Sequence, residues 1–277
     1  MTSTTLAGVR NAERFAVSSS LAKALSDRLL VALIVGLAGA GMGFIMGPMY
    51  LALEDVLGEL LAQMPESIMA VAGGVDMATP AGWYTGEMYS IVFPFAVMFV
   101  AANYAARAFG GEMEARTIGL VMATPTRRTR LAVEKAVAMV VHVVIATVLL
   151  SLGVWLGAVV AGVDISISDI TAIGLMLTLV SCAVGGLSML VSIVTGRGVP
   201  AILLAMLAAA VGYAWSSFVP LADPIAELAW LSPWHHYIGT QPMAEGVDWL
   251  SAAWLLLLAV VSIIAGVYLF KRRDIPA

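Results

Sequence analysis

The three histidines of the chain are its first candidates for acid–base or metal chemistry. His235 and His236 are adjacent, so their rings point in different directions on any regular element, and no H-E-x-x-H zinc spacing occurs. His142 stands alone in a long apolar run, where an ionisable side chain is a candidate functional group. We favour a neutral imidazole bonded to a neighbouring helix, and we predict no metal site.

Motifs for nucleophilic or nucleotide chemistry are absent from the sequence. There is no G-x-S-x-G nucleophile turn and no G-x-x-x-x-G-K-[ST] phosphate loop. The single cysteine, Cys182, can form neither an intramolecular disulfide nor a thiolate metal site by itself. We therefore predict no catalytic residues, no cofactor in this chain and no enzymatic activity, and an intramembrane enzyme is disfavoured.

The charged stretch from 110 to 135 reads GGEMEARTIGLVMATPTRRTRLAVEK and is the most informative segment. Thr124 followed by Pro125 is typical of a helix N-cap and first position, which predicts one helix ending near Met122 and another starting at Pro125. The first helix, residues 112 to 122, mixes apolar and charged side chains. It can dock into a groove of a soluble partner or lie on a membrane, and composition leaves both open.

The elements around these residues are set by composition. Apolar residues make up 61% of the 277 positions, charged residues only 12%, and the mean hydropathy is +0.97. A bilayer core of about 30 Å needs about 20 apolar helical residues. Six runs meet that length: 29 to 52, 88 to 108, 136 to 161, 170 to 195, 199 to 218 and 250 to 270. The predicted fold is an all-α integral membrane protein with six transmembrane helices in a single domain, 1 to 277.

Charge fixes the predicted orientation. All 14 Lys and Arg residues fall before the first run, at the end of the second or between the second and third, between the fourth and fifth, or after the last. Most of the 18 acidic residues fall on the other side. Basic loops stay in the cytoplasm, so we predict a multi-pass protein of the plasma membrane with both termini inside.

Three further segments carry structural predictions. Residues 5 to 27 have the spacing of an amphipathic helix on the inner membrane surface, with a polar tail as the alternative. Residues 219 to 249 are apolar but contain several prolines, which predicts short helices in the outer leaflet. Gly39, Gly43 and Gly47 recur at i+4 and predict a close helix contact, either within one subunit or between two.

The predicted spans contain no Asp or Glu, whereas ion-coupled carriers generally use such residues. Their polar side chains are weakly polar, such as amides and hydroxyls, and lie beside aromatic and sulfur-containing side chains. This favours an apolar or amphipathic cargo, although the same side chains could serve ordinary helix packing. The candidate pathway or gate residues are Phe95, Asn103, Tyr104, His142, Met206, Tyr213 and Trp234.

At this point the sequence resembles the type-2 ABC permease family. Members join the second and third spans by a Gly-Glu, a short helix, a proline, then an Arg and a Lys. The matching positions here are Glu112, Thr117, Pro125, Arg127 or Arg128, and Lys135. Ser232-Pro233-Trp234 and the ending from Phe270 to Ile275 are also similar, while Arg116 and Ile118 depart from the usual glycine and acidic residue.

The resemblance implies roles. Residues 112 to 122 would be a coupling helix seated in an ATPase subunit within the cytoplasmic loop 109 to 135, residues 5 to 27 a connecting helix, and residues 219 to 249 an external gate. The implied ATPase contacts are Glu112, Glu114, Arg116, Thr117, Pro125, Arg127, Arg128, Lys135 and Arg197.

The implied partners are two ATPase subunits that bind ATP and Mg, a second permease subunit forming a homo- or heterodimer, and membrane lipid, with no nucleic acid. Export is the implied direction. A non-transporting anchor or sensor that recruits a soluble partner through the 109 to 135 loop is the alternative.

Overall fold

The computed structural model describes residues 22–61, 76–115, 127–222 and 224–273. Within these ranges the chain is helical throughout apart from turns and short connections. Six helices are long and apolar enough to cross a membrane, as predicted. They are called spans 1 to 6: Leu29–Leu61, Val92–Ala106, Arg128–Ala161, Ile167–Thr195, Gly198–Phe218 and Trp249–Arg272.

Several boundaries differ from the sequence prediction because a helix does not stop where its apolar run stops. Span 1 continues past 52 to Leu61, since Leu and Glu are good helix formers on either side of a membrane boundary. Span 2 continues through a π-helical turn, Arg107–Gly111, to Glu114. Span 3 begins at Arg128, before the predicted apolar run at 136, and the helix predicted to lead into it from Pro125 starts three residues later because Arg127 has extended backbone with ψ 135°. The corner predicted between Met122 and Pro125 lies outside the described residues.

Short connections join spans 3 to 5. Gly162 caps the end of span 3 and Gly196 caps the end of span 4, with φ of 72° and 70°, a conformation that glycine adopts without strain. Span 4 starts with a capping box in which Ser166 and Asp169 each bond the other's backbone N–H. Arg197 alone separates Gly196 from span 5.

The glycine stripe of span 1 packs within the subunit, which answers the question left open by the sequence. A Cβ on Gly47 would lie 2.3 Å from the carbonyl oxygen of Gly157 on span 3. A Cβ on Gly43 would lie 2.6 Å from the Val154 side chain. Glycines on both helices therefore allow their backbones to touch.

Span 4 is central and packs against spans 2, 3, 5 and 6. Spans 1, 5 and 6 instead expose rows of large apolar side chains, as expected for surfaces that face lipid or another subunit.

The segment before span 6 folds as four short helices: Val219–Leu221, Ala226–Leu231, Pro233–Tyr237 and Pro242–Glu245. Their placement in the outer leaflet stays a prediction. Of the predicted surface helix at 5 to 27, residues 22–26 are helical, and the residues before 22 lie outside the described chain.

Candidate functional site

The end of the bundle that carries the described Lys and Arg residues, here called the basic end, is organised around a buried lysine. The Lys135 side chain is only 6% exposed. Its ammonium donates to the Glu112 carboxylate at 2.6 Å and to the Ala108 carbonyl, and it lies 5.2 Å from the centre of the Phe109 ring. This buried ion pair fastens the start of the predicted coupling helix to span 3.

Glu114 connects the same segment to span 5. Its carboxylate accepts a hydrogen bond of 3.3 Å from the backbone N–H of Gly198, the first residue of that span. Negative charge at a helix N-terminus is favourable. A Cβ on Gly110 would lie 2.6 Å from the backbone carbonyl carbon of Arg197, so residues 110 to 114 contact the connection between spans 4 and 5 directly.

The end of span 6 also contacts this part of the basic end. The rings of Phe109 and Phe270 meet edge to face with centroids 5.3 Å apart. The Arg128 guanidinium donates to the Arg273 carbonyl at 3.0 Å, which joins the start of span 3 to the end of span 6. Residues 107 to 114 thus contact spans 3, 5 and 6 through these groups and also pack against span 4.

The predicted contact residues within the described chain, Glu112, Glu114, Arg127, Arg128, Lys135 and Arg197, all lie at the basic end, whereas Arg116, Thr117 and Pro125 lie outside the described residues. Sequence reasoning missed Phe109 and Gly110. The signal for Gly110 was the Gly110-Gly111 pair at the end of an apolar run, which favours close backbone approach.

At the opposite end, three predicted gate residues meet in one aromatic cluster. Trp234 is 1% exposed, and its ring centroid lies 5.4 Å from Phe95, 5.3 Å from Tyr213 and 5.6 Å from Tyr237. The indole N–H donates to the Ala209 carbonyl at 2.8 Å, and the Ser232 hydroxyl donates to the Gly212 carbonyl at 2.6 Å. The Ser232-Pro233-Trp234 segment is therefore bonded to span 5.

The other predicted pathway residues lie elsewhere. Tyr104 and His142 stack with centroids 4.8 Å apart, and the Tyr104 hydroxyl donates to the Ala24 carbonyl. The imidazole contacts the neighbouring helix by stacking. Its Nδ1 bonds the Ala138 carbonyl of its own helix and its Nε2 bonds no other described residue, so within the described chain the predicted hydrogen bond to a neighbouring helix is wrong. Asn103 is buried on span 2 and Met206 half-buried on span 5. The candidate pathway set is thus not one site.

An apolar cavity of about 340 Å³ lies between spans 2, 4, 5 and 6. Trp234 forms part of its wall together with Met98, Val184, Gly212 and Leu258. The lining is almost entirely hydrocarbon, so the cavity suits an apolar group better than an ion.

His236 and Asp248, which lie outside the spans, both have lowered pKa values. His236 bonds Trp230 O at 2.9 Å and Ser251 Oγ at 3.0 Å and stacks on Trp254, and its partial burial lowers its pKa. Asp248 caps span 6, and hydrogen bonds from the Ser251 side chain and from backbone N–H groups lower its pKa. Among the described residues, no three His, Cys, Asp or Glu side chains are grouped as metal ligands.

A bundle of six helices, each long and apolar enough to cross a membrane, defines a multi-pass membrane protein. The sequence matches the family described as ABC-2 family transporter protein over residues 20–275, and the chain belongs to that family. It is therefore the membrane permease subunit of an ABC transporter, a family whose members lack ATPase motifs and work with ABC ATPase subunits. No curated protein matches the sequence.

Proposed function

We propose that this chain is the permease of an ATP-driven exporter in the plasma membrane, with both termini in the cytoplasm and an apolar or amphipathic cargo. Two ATPase subunits that bind ATP and Mg would grip residues 112 to 122, and a second permease subunit would complete the pathway. The observation that carries the proposal is the Lys135–Glu112 ion pair, which joins the start of that segment to span 3.

The contacts at the basic end would allow movement of the coupling segment to be transmitted to the spans. Glu112 is tied to span 3, Glu114 to span 5, and Phe109 packs on Phe270 of span 6. A force applied to residues 109 to 114 would therefore be passed to spans 3, 5 and 6 at once, because packed interfaces move as rigid bodies rather than deforming continuously.

Span 5 would transmit this movement to the proposed gate. Glu114 contacts its first residue, Gly198, while Ser232 bonds Gly212, 14 residues and about 21 Å farther along the same helix. A tilt of span 5 would carry the Ser232-Pro233-Trp234 segment with it. The aromatic cluster around Trp234 would then open or close the external end.

The cargo class rests on the cavity beside Trp234. Its lining is almost entirely hydrocarbon and includes no carboxylate among the described residues, which favours a ligand with a large apolar surface.

The test begins with affinity purification of the tagged chain from its native membrane, from which we expect an ATPase with a Walker motif. In that complex, Glu112→Ala and Arg127→Glu should leave membrane insertion intact but uncouple ATP turnover from transport. Glu245→Ala, a charge removal at the opposite end, is the control. Recovery of a soluble partner without a Walker motif would support the anchor or sensor alternative instead, and unchanged cargo-stimulated turnover in both coupling variants would exclude the coupling assignment.

A further inference from the structure

A second feature of the basic end is a cavity of about 420 Å³ on the side of residues 22–28. Its walls come from that segment, from the end of span 2 and from the start of span 3. The Tyr104 hydroxyl, which donates to the Ala24 carbonyl at 2.9 Å, holds the segment against the bundle. The cavity therefore has walls from three parts of the chain.

The cavity has an excess of available positive charge. Lys23, Arg28 and Arg107 line it, and none of the three forms an ion pair with another described residue. The fourth cation in the wall, Lys135, is already bonded to Glu112.

The acidic residues of the wall neutralise little of that charge. Glu112 bonds Lys135, and Glu134 bonds Arg130 at 3.0 Å, so both carboxylates already have cationic partners. Asp27 is the third acidic residue of the wall. Its single negative charge faces three cations, Lys23, Arg28 and Arg107, that form no ion pair with a described residue. An anionic ligand would balance the remaining charge.

The backbone at Arg28 adds a second, independent observation. Arg28 has a φ of 64°, a left-handed conformation that is unfavourable for a residue with a side chain. Its carbonyl accepts the backbone N–H of Val31 at 3.0 Å at the start of span 1. Such a conformation persists only where the surroundings hold it, and it is common at ligand sites. Here it lets the chain turn between residues 22–26 and span 1, which sets Arg28 in the wall of the cavity.

The adjoining surface is apolar. Directly after Arg28, span 1 exposes Leu30, Ile34 and Leu37, with 68%, 57% and 60% of each residue accessible. A phosphate held by the three cations would lie next to a surface suited to hydrocarbon chains. We propose that this cavity binds the headgroup of an anionic phospholipid, whose acyl chains lie along span 1. Basic cavities between membrane helices are a recurrent means of binding such headgroups.

The test uses the full-length protein in detergent and native mass spectrometry with equal amounts of phosphatidylglycerol and phosphatidylcholine. The wild type should retain phosphatidylglycerol preferentially. The double variant Arg28→Gln, Arg107→Gln should weaken that binding by roughly 30-fold, since each cation near a lipid surface contributes about fivefold. Lys271→Gln, Arg272→Gln removes the same charge from the same end outside the cavity and should keep the preference.

Two further measurements complete the design. Arg28→Gly removes the charge while favouring the left-handed backbone, so a loss of lipid binding in a variant of unchanged thermal stability supports the site. Glycerol phosphate is added as a competitor: if it binds as tightly as phosphatidylglycerol, the site serves a soluble phosphate and the lipid assignment is overturned. Equal retention of both lipids by the wild type, or equal loss in the control double variant, would also overturn it.

Discussion

The Lys135 ammonium lies almost wholly inside the protein, yet the Glu112 side chain that neutralises it is 25% exposed. This asymmetry matters because an uncompensated charge costs more where water cannot reach it. The sequence indicated both residues through a family pattern. It could not indicate their pairing, since 23 positions separate them along the chain.

We expect Glu112→Gln to destabilise the protein more than Lys135→Met. The first variant leaves a buried ammonium without its carboxylate, at a cost of about 3–5 kcal/mol, whereas the second leaves a carboxylate that water can reach. The double variant Glu112→Gln, Lys135→Met should recover part of the stability lost in Glu112→Gln. Thermal unfolding of the purified protein measures all three.

Arg130→Gln is the matched control for this series. The Arg130 side chain is 48% exposed, so its ion pair with Glu134 should contribute no more than about 1 kcal/mol. A loss of stability in Arg130→Gln as large as that in Glu112→Gln would contradict the claim that burial makes the Lys135–Glu112 ion pair the more important of the two.

His236 gives a prediction about pH. Its folded pKa is lowered, chiefly by burial, so the unfolded chain takes up a proton at a higher pH than the folded one. Stability should therefore fall as pH drops from the unfolded pKa of about 6.5 through the lowered folded value. His236→Gln should flatten the dependence of the melting temperature on pH in this window, while His235→Gln should keep it. An unchanged slope in His236→Gln would assign the dependence to another group.

At the scale of elements, helix existence was predictable because crossing hydrocarbon requires a long local run of apolar residues. Helix partners were not. The Gly39, Gly43 and Gly47 stripe indicated a close contact, but only the structure shows that spans 1 and 3 make it. The reason is that a flat helix face is defined locally, whereas its partner is chosen by the packing of the whole bundle.

We expect Gly47→Ala to separate spans 1 and 3 and to destabilise the protein by about 1–3 kcal/mol, because the added methyl would overlap the Gly157 carbonyl. Gly41→Ala is a control on the same helix, since a Cβ there meets nothing within 4 Å. It should be neutral or stabilising by up to about 1 kcal/mol. Equal losses in both variants, measured by thermal unfolding, would point to a general intolerance of span 1 instead.

For the whole molecule, the charge asymmetry predicts that both termini are cytoplasmic. Cysteine labelling can test this in the natural background, because Cys182, the one native cysteine, is only 5% exposed. With a membrane-impermeant maleimide on intact cells, Glu245→Cys should be labelled and Lys271→Cys should not. Permeabilised cells should show labelling of both.

The unsubstituted chain is the control for this experiment and should stay unlabelled in both conditions. The reverse pattern would place both termini outside. Labelling of both positions in intact cells would contradict the prediction that span 6 crosses the membrane between them.

The sequence alone determined the class of the molecule, its six membrane-length helices and its family, because hydropathy, charge asymmetry and short motifs are local properties of a chain. Only the tertiary structure decided that Glu112 and Glu114 bond spans 3 and 5, that Trp234 attaches to span 5, and that Lys23, Arg28 and Arg107 share one cavity. Those contacts join residues far apart in the chain. Their formation depends on how all six helices pack together, which no single segment encodes.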